Sequence, residues 1–149
     1  MTNAPYYEYR HRVTFAETNV VGNVYFAVYL GWQGACREMF LADKAPGVVE
    51  RLHDDLALVT VSCSCEYFAE LFALDTVAVR MTLTGIDDHR IGMGFDYYRF
   101  GRGPAQLVAR GEQTVACMAR SSGELFPEPI SEELMRALRP YAARATELK

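Results

Sequence analysis

The sequence lacks several features that would place the protein outside the ordinary globular class. No apolar run reaches the roughly 18 residues that a membrane-spanning helix needs, so we expect no membrane protein. The first five residues show no basic patch followed by an apolar stretch, so we expect no signal peptide and a cytoplasmic location. Positive charge is also scarce. The net charge of −4 argues against non-specific binding of nucleic acid, which requires many cations.

Cysteine and histidine are few, and their spacing does not suit a metal site. The sequence has four cysteines and three histidines, namely Cys36, Cys63, Cys65, Cys117, His11, His53 and His89. None forms a C-x-x-C pair or a comparable His pair, which a zinc site would need. Without a secretory signal, we expect reduced thiols in the core, with no histidine placed to activate one as a nucleophile. The sequence therefore predicts no metal and no cofactor.

What is present is typical of one globular domain. The chain has 149 residues, of which 50% are apolar and 23% are charged. That length buries roughly two-thirds of the surface that the unfolded chain exposes. No internal repeat or interdomain linker interrupts it, so we expect a single domain over residues 1–149.

Five segments alternate apolar and polar residues with period two, which indicates half-buried strands. They lie near residues 7–15, 57–67, 76–84, 91–97 and 106–120. In the second segment one face is predicted to be the core face, with Ala57, Val59, Val61, Cys63, Cys65 and Tyr67. Thr60 and Glu66 are predicted to share the opposite face. Short polar connections at residues 87–89 and 101–104 are typical of antiparallel hairpins.

One long helix, Val24 to Asp43, is predicted between the first two strands. A stripe of small residues runs along it, followed by a stripe of larger ones: Ala27, Gly31, Gly34 and Ala35, then Tyr25, Tyr29, Trp32, Cys36 and Met39. Two glycines inside a helix cost about 1 kcal/mol each, so we expect a close packing partner for the small stripe. A short helix over Val48–His53 and a final helix capped by Ser131 complete an α+β architecture.

The segment from Phe15 to Phe26 is the part of the sequence that indicates chemistry. It is predicted to be a strand end, a tight loop and a helix start. The first turn of a helix offers free backbone N–H groups and the positive end of the helix dipole. Such a site stabilises the oxyanion that develops in acyl transfer.

This segment and its continuation resemble the hotdog-fold thioesterases related to 4-hydroxybenzoyl-CoA thioesterase. That family carries Asp-x-Asp-x-x-Gly-x-Val-aromatic, then Tyr-Leu-x-Trp and an Ala-Arg-like helix end. Here the chain reads ETNVVGNVYF over residues 17–26, then YLGWQGACRE over residues 29–38. The resemblance extends over roughly residues 7–120. It implies a hotdog fold, in which a curved antiparallel sheet of five or so strands wraps a long central helix.

The resemblance also has a specific departure. Asn19 stands where the family has an aspartate that serves as general base or nucleophile, and Glu17 stands at the first acidic position. This variant resembles the thioesterases of enediyne polyketide biosynthesis. It implies hydrolysis of a long conjugated β-ketoacyl polyene from the acyl-carrier-protein domain of an iterative polyketide synthase. Decarboxylation to a methyl-ketone polyene can follow, and Asn19 and Arg37 are implied to act without an acidic catalyst.

The same resemblance implies where the active site lies. Hotdog proteins pair as dimers or dimers of dimers, with sites between protomers. We expect Asn19 and backbone N–H groups near Phe26 to polarise the thioester carbonyl and position water, with Tyr29 as a further donor. Substrate contacts are expected from both protomers: Tyr25 and Phe26 from one, Thr60 and Glu66 from the other.

Arg37 lies eleven residues after Phe26, about 16 Å along a helix axis. It is therefore expected to reach a loop that folds back, a distal carboxylate or β-keto group, or the facing protomer. The competing interpretation is a helix arginine paired with Glu38 or Glu17. Glu17 itself is two residues from Asn19, and we expect its side chain to diverge from that of Asn19 and not to serve as base.

Two other functions remain open from the sequence. One is a general acyl-CoA thioesterase, although Asn19 in place of an aspartate fits that class less well. The other is a catalytically silent module that binds acyl chains or docks a carrier protein. Turnover separates these functions, because a binding module would hold acyl chains stoichiometrically and release no acid.

Overall fold

The computed structural model describes residues 6–143. It shows, in chain order, β1 (Tyr7–Arg12), a 3-10 turn (Phe15–Glu17), α1 (Val28–Lys44), α2 (Pro46–Arg51), β2 (Leu56–Tyr67), β3 (Thr76–Asp87), β4 (Arg90–Phe100), β5 (Gln106–Ser121), β6 (Glu124–Pro127), α3 (Glu132–Leu138) and a second 3-10 turn (Arg139–Tyr141). The strands form one antiparallel sheet in the order β1-β3-β4-β5-β2, with β6 paired to β5. The α+β hotdog architecture is confirmed. The terminal residues of the expected 1–149 domain, including the first five, lie outside the described part.

The core forms between α1 and one face of the sheet, and the alternation of β3 and β4 explains why. Each of these strands buries every second side chain against the helix: Val77, Val79, Met81 and Leu83 on β3, and Ile91, Met93, Phe95 and Tyr97 on β4. The period-two alternation predicted for both strands is therefore confirmed. Their burial supplies the hydrophobic free energy that holds α1 on the sheet.

The central helix begins at Val28, four residues later than predicted. Its buried stripe runs through Tyr29, Trp32, Gln33, Cys36, Phe40 and Leu41. Tyr25 precedes the helix, and Met39 faces away from the buried stripe. Both side chains are nearly half exposed, so of the two alternatives for this stripe, core or channel wall, neither residue belongs to the core.

The small residues of α1 have no packing partner in the described chain. A Cβ atom built on Gly31 or Gly34 would meet nothing within 4 Å. The expected close approach behind this stripe is therefore not made within one chain. The stripe is a surface of the protomer.

Two strand predictions were wrong at specific positions. The first strand ends at Arg12, and Phe15 lies in the 3-10 turn with most of its side chain exposed. In β2 the pairing with β5 shifts between Thr60 and Ser62, so Val61 is an inserted bulge residue. A bulge reverses the side-chain alternation, because two residues then oppose one on the partner strand.

The bulge changes which β2 side chains share a face. Thr60 accepts a hydrogen bond from Arg37 of α1, so it faces the helix. Glu66 pairs in register with Arg110, whose guanidinium donates to Asp96 on the sheet face away from the helix. Thr60 and Glu66 therefore point to opposite faces, contrary to the prediction. Val59 likewise faces away from the core and is exposed.

The C-terminal part follows the sequence prediction closely. The Ser131 hydroxyl accepts from the Leu134 N–H at 3.2 Å and caps α3, as predicted. The strand β6 has no counterpart among the predicted segments. Within residues 6–143, no helix is both long enough and apolar enough to cross a membrane.

Candidate active site

The loop before α1 is a tight hairpin closed by backbone hydrogen bonds. Thr18 and Val24 form an isolated antiparallel bridge, and the Asn19 N–H donates to the Asn23 carbonyl at 2.8 Å. The Gly22 N–H donates back to the Asn19 carbonyl at 2.9 Å. Gly22 adopts φ = +96°, a conformation that a side chain would disfavour. The hairpin therefore fixes the backbone of Asn19.

The side chain of Asn19 is held by one of its two polar ends. Its Oδ1 accepts from the Val21 N–H at 3.0 Å, a local turn that asparagine and aspartate both make readily. In the described chain its Nδ2 makes no hydrogen bond, so both of that nitrogen's hydrogens are available to a ligand. The predicted role of Asn19 requires this free donor end.

Backbone donors are free where α1 begins. The Val28 N–H donates to the Tyr25 carbonyl at 2.9 Å, and the Leu30 N–H donates to the Ala27 carbonyl at 3.2 Å. Within residues 6–143, no acceptor is found for the N–H groups of Phe26 and Ala27. Unsatisfied N–H groups at the positive end of a helix suit an oxyanion.

Glu17, the carboxylate nearest to Asn19 in the sequence, is fully occupied by the protein's own donors. It accepts from His11 Nε2 at 2.8 Å, from the Thr14 N–H at 2.8 Å and from Trp32 Nε1 at 3.1 Å. Burial alone would raise the pKa of Glu17, but the hydrogen bonds from Thr14, His11 and Trp32 lower it overall. A carboxylate stabilised in its ionised form is a weak base. The hydrogen bonds from His11 and Trp32 also tie the loop to β1 and α1.

Aromatic side chains flank the loop. Tyr25 is 47% and Phe26 59% exposed, and their rings lie 4.6 Å apart. Phe72 forms an isolated bridge with Asn23 and is also partly exposed. The Tyr67 hydroxyl donates to the Phe26 carbonyl at 2.7 Å, which anchors the start of α1 to β2. The loop therefore presents an apolar aromatic surface beside its free donors.

The position of Tyr29 does not support its predicted role as a donor to substrate. The side chain is only 3% exposed, and its ring packs edge-on against Tyr67 and Tyr97 at 4.8 Å and 5.6 Å. Burial raises the pKa of the Tyr29 phenol well above its ordinary value. The backbone carbonyl of Tyr29 accepts a hydrogen bond from the Tyr97 hydroxyl at 2.8 Å. Tyr29 is therefore a core residue that joins α1 to the sheet.

Arg37 points across the sheet towards β2 and β5. Its Nη1 donates to Gln113 Oε1 at 2.6 Å and to Thr60 Oγ1 at 3.2 Å. Burial lowers the pKa of the Arg37 guanidinium, although the nearby charge of Glu38 acts in the opposite direction. An arginine nevertheless stays protonated in proteins.

Arg37 has no counterion in the described chain. None of the ion pairs found among residues 6–143 includes Arg37, so the predicted alternative of a pair with Glu38 or Glu17 was wrong. A half-buried guanidinium that is bound by neutral acceptors keeps its full charge for an anionic ligand. The helix side of the sheet thus carries a fixed cation at Arg37, separate from the free neutral donors of the loop.

Sequence reasoning missed the two glutamines beside Arg37. Gln33 is 0% and Gln113 is 5% exposed, so both amides are buried. Gln33 lies on the buried stripe of α1, and Gln113 lies on the inward face of β5 between Gly111 and Val115. A polar residue within an apolar stripe was the signal that could have found them.

Other chemistry is poorly supported by the described residues. Among them, no cluster of three or more His, Cys, Asp or Glu side chains could hold a metal ion. Cys36 is fully buried, and burial raises the pKa of its thiol to about 12. A protonated, inaccessible thiol cannot serve as a nucleophile.

Residues 13–138 match the sequence profile of the thioesterase-like superfamily. The dynemicin thioesterase, whose crystal structures are described as revealing induced-fit and allosteric effects upon polyene binding, is 58% identical, with a TM-score of 0.91 over 94% of this chain and 99% of that chain. A 1,4-dihydroxy-2-naphthoyl-CoA thioesterase from Synechocystis is 26% identical, with a TM-score of 0.74 over 90% of this chain and 96% of that chain.

More distant relatives share the fold. The 4-hydroxybenzoyl-CoA thioesterase from Pseudomonas sp. strain CBS-3 is 16% identical, with a TM-score of 0.76 over 90% of this chain and 99% of that chain. A comparison with curated protein sequences found no significant match. The profile match and the 58% identical structure both extend over most of the sequence. The chain therefore belongs to the thioesterase-like superfamily and is a thioester hydrolase.

Proposed function

We propose that this protein hydrolyses a conjugated polyene β-ketoacyl thioester in enediyne biosynthesis. The acyl chain is delivered on the acyl-carrier-protein domain of an iterative polyketide synthase. Support comes from the 58% identity with the dynemicin thioesterase, whose structures concern polyene binding. The aromatic surface formed by Tyr25 and Phe26 suits a flat apolar chain, because such sites are lined mainly by apolar and aromatic groups.

The observation that carries the proposal is a loop with free donors whose own carboxylate, that of Glu17, is already hydrogen-bonded. Asn19 offers Nδ2, and the N–H groups of Phe26 and Ala27 have no internal acceptor in the described chain. Glu17, the nearest acid in sequence, is saturated by its own hydrogen bonds. Losing a general base forfeits about 3–5 kcal/mol. An oxyanion donor contributes about 3–4 kcal/mol, so donors can carry much of the catalysis.

The proposed reaction is direct hydrolysis. Water adds to the thioester carbonyl carbon, and the negative charge that develops on oxygen is bound by Asn19 Nδ2 and the Phe26 and Ala27 N–H groups. The tetrahedral intermediate collapses, the C–S bond breaks, and the carrier's thiolate takes up the proton released from the attacking water. The released β-keto acid then loses CO₂ in solution and leaves a methyl ketone.

We further propose that Arg37 acts in the site of the partner protomer. Within one chain, Arg37 lies about 16 Å along the helix direction from Phe26, too far for both to contact one carbonyl. Arg37 instead contacts Thr60 on β2, which lies at the edge of the sheet. An edge strand offers unpaired backbone groups to a second copy, which would bring Arg37 towards the partner's loop. There it would bind the β-keto oxygen or carboxylate.

Thr60 enters this proposal as a residue that helps to hold Arg37, and Glu66 does not enter it. Glu66 faces the side of the sheet away from α1, whereas the loop and Arg37 lie on the helix side. The proposed substrate contacts are therefore Tyr25 and Phe26 of one protomer and Arg37 of the other. The proposed assembly is a homodimer that itself pairs into a tetramer.

The first experiment compares two forms of one acyl chain. A long unsaturated β-ketoacyl group is presented on a carrier domain and as its CoA ester, and release is followed by mass spectrometry. Catalytic release from the carrier that Asn19→Ala abolishes supports the proposal. Faster turnover of the CoA ester would instead identify a general acyl-CoA thioesterase. Stoichiometric binding without release would identify an acyl-binding module.

A second experiment tests the shared site. Asn19→Ala and Arg37→Met proteins are unfolded and refolded together to form mixed dimers. If the site takes Asn19 from one protomer and Arg37 from the other, each mixed dimer contains one intact site and recovers activity. If both residues serve the same protomer's site, each site retains one lesion and the mixture stays inactive. Wild-type protein treated in the same way controls for refolding.

A further inference from the structure

A chain of hydrogen bonds runs from Arg37 into the protein interior. Arg37 Nη1 donates to Gln113 Oε1 at 2.6 Å, and Gln113 Nε2 donates to Gln33 Oε1 at 3.3 Å. Gln33 Nε2 then donates to the Ser64 carbonyl at 2.9 Å. The chain thus connects α1, β5 and the edge strand β2 through two buried amides.

The two ends of this chain fix the orientation of both amides. A backbone carbonyl only accepts, so Gln33 must turn its NH₂ group to Ser64 and its oxygen to Gln113. Gln113 must then turn its NH₂ group to Gln33 and its oxygen outward. A guanidinium only donates, so that oxygen is the matching partner for Arg37. Only one arrangement satisfies every group.

The surrounding backbone is built to accommodate the amides. A Cβ atom on Gly111 would lie 2.2 Å from Gln33 Nε2 and 2.6 Å from the Ser64 carbonyl oxygen. Glycine at this position therefore leaves the room that Gln33 needs. Burying an amide without partners costs several kcal/mol at the upper end of measured scales, so a fully satisfied pair of buried amides is a rigid feature.

We infer that Gln113 and Gln33 are positioning residues that hold the Arg37 guanidinium in place without neutralising its charge. The inference rests on the role proposed above for Arg37. A carboxylate in place of Gln113 would also accept from the guanidinium, but it would cancel the charge of Arg37 and could not donate to Gln33. The neutral amide fixes the direction of Arg37 and leaves the charge for the substrate's anionic or β-keto group.

The test replaces Gln113 in two ways and measures kcat and KM with the carrier-bound substrate. Gln113→Leu removes the acceptor, and we expect about a 10²-fold loss, the size that misplacement of a functional group by about 1 Å can cause. Gln113→Glu keeps the acceptor and the size of the side chain but pairs with Arg37, so we expect a comparable loss. Glu112→Gln, on the outer face of the same strand, is the matched control and should retain full activity.

The decisive comparison repeats these substitutions in an Arg37→Met background. If Gln113 acts through Arg37, Gln113→Leu causes no further loss once Arg37 is absent, because coupled residues are not additive. Losses that multiply would overturn the inference and assign Gln113 a structural role. Thermal unfolding of each variant identifies any that fails to fold. If a Gln113 variant fails to fold, Gln33→Met is compared in the wild-type and Arg37→Met backgrounds in its place.

The outcomes also separate this inference from the proposed function. Full activity of Arg37→Met would overturn the role of Arg37 and the inference together. A strong loss in Arg37→Met with full activity in Gln113→Leu would overturn the inference alone. Activity towards neither thioester, with all variants folded, would overturn the proposed function.

Discussion

Glu17 and Arg37 are both partly buried charged residues on the same side of the sheet, but the protein treats their charges in opposite ways. Glu17 is enclosed by donors from His11, Thr14 and Trp32. Arg37 is held by the neutral oxygens of Gln113 and Thr60. Both Glu17 oxygens are occupied by the protein's own donors, whereas in the described chain Arg37 uses only Nη1 and keeps its other N–H groups for a ligand.

Replacing Arg37 should give the largest effect on activity. We expect Arg37→Met to lower turnover by about 10²–10³-fold, the loss typical of removing one donor to a developing charge. The melting temperature should change little, since the variant no longer buries a cation without an ion-pair partner but leaves the buried Gln113 oxygen without its donor. Steady-state kinetics and thermal unfolding check the two effects. A large drop in melting temperature with unchanged kinetics would instead show that Arg37, like Glu17, serves the stability of the fold.

Asn19→Asp should separate the holding role of this residue from its donor role. Aspartate can accept the Val21 N–H as asparagine does, so the hairpin should keep its stability. It lacks the Nδ2 donor and places a negative charge near the oxyanion, so we expect about a 10²-fold loss at neutral pH. Steady-state kinetics of Asn19→Asp, measured alongside those of Asn19→Ala, check this expectation. Equal or greater turnover in Asn19→Asp would show that a base improves this site.

Glu17→Gln should affect stability and leave chemistry largely intact. Loss of hydrogen bonds to a charged group predicts a destabilisation of about 2 kcal/mol in denaturant unfolding. Because folding lowers the pKa of Glu17, its stabilisation is present above the unfolded pKa of about 4.3 and is lost as pH falls through the folded value. The acid limb of the wild-type stability curve should therefore flatten in the variant. An unchanged acid limb would contradict this assignment.

The smallest effect is expected on the exposed stripe of α1. Nothing lies within 4 Å of a Cβ at Gly31, so Gly31→Ala should stabilise an isolated protomer by up to about 1 kcal/mol through helix propensity. Denaturant unfolding measures this gain, and Gly34→Ala is the parallel variant. A loss of stability that depends on protein concentration would show instead that a second protomer packs on these glycines.

The sequence predicted the regular parts of the fold because they obey a simple period. The inward faces of β3 and β4 and the Ser131 cap follow from local patterns. The β2 pattern failed at Val61, because a bulge shifts the alternation without any change in residue type. The predicted start of α1 was also wrong, because the hairpin at Asn19 and the turn after it contain residues that are equally compatible with a helix.

The candidate site, like the fold, could be predicted from the sequence only in part. Its loop could be singled out because the motif at residues 17–26 is continuous in the chain, and Asn19 was predicted there as a donor to the substrate. Gln113 was missed, and the direction of Arg37 was left open, because their meeting joins positions 76 residues apart. Tyr29 was assigned to the site, although only its packing against Tyr67 and Tyr97 shows that it belongs to the core.

The sequence by itself determined an α+β thioesterase of the hotdog type and predicted a catalytic loop in which asparagine replaces an acid. These features depend on local patterns and on a continuous motif, which the order of residues specifies. Only the tertiary structure decided that the Glu17 carboxylate is fully hydrogen-bonded and that Arg37 forms no ion pair in the described chain. That difference depends on which donors and acceptors the packing of α1 on β1, β2 and β5 brings within hydrogen-bonding distance, and no local pattern contains that information.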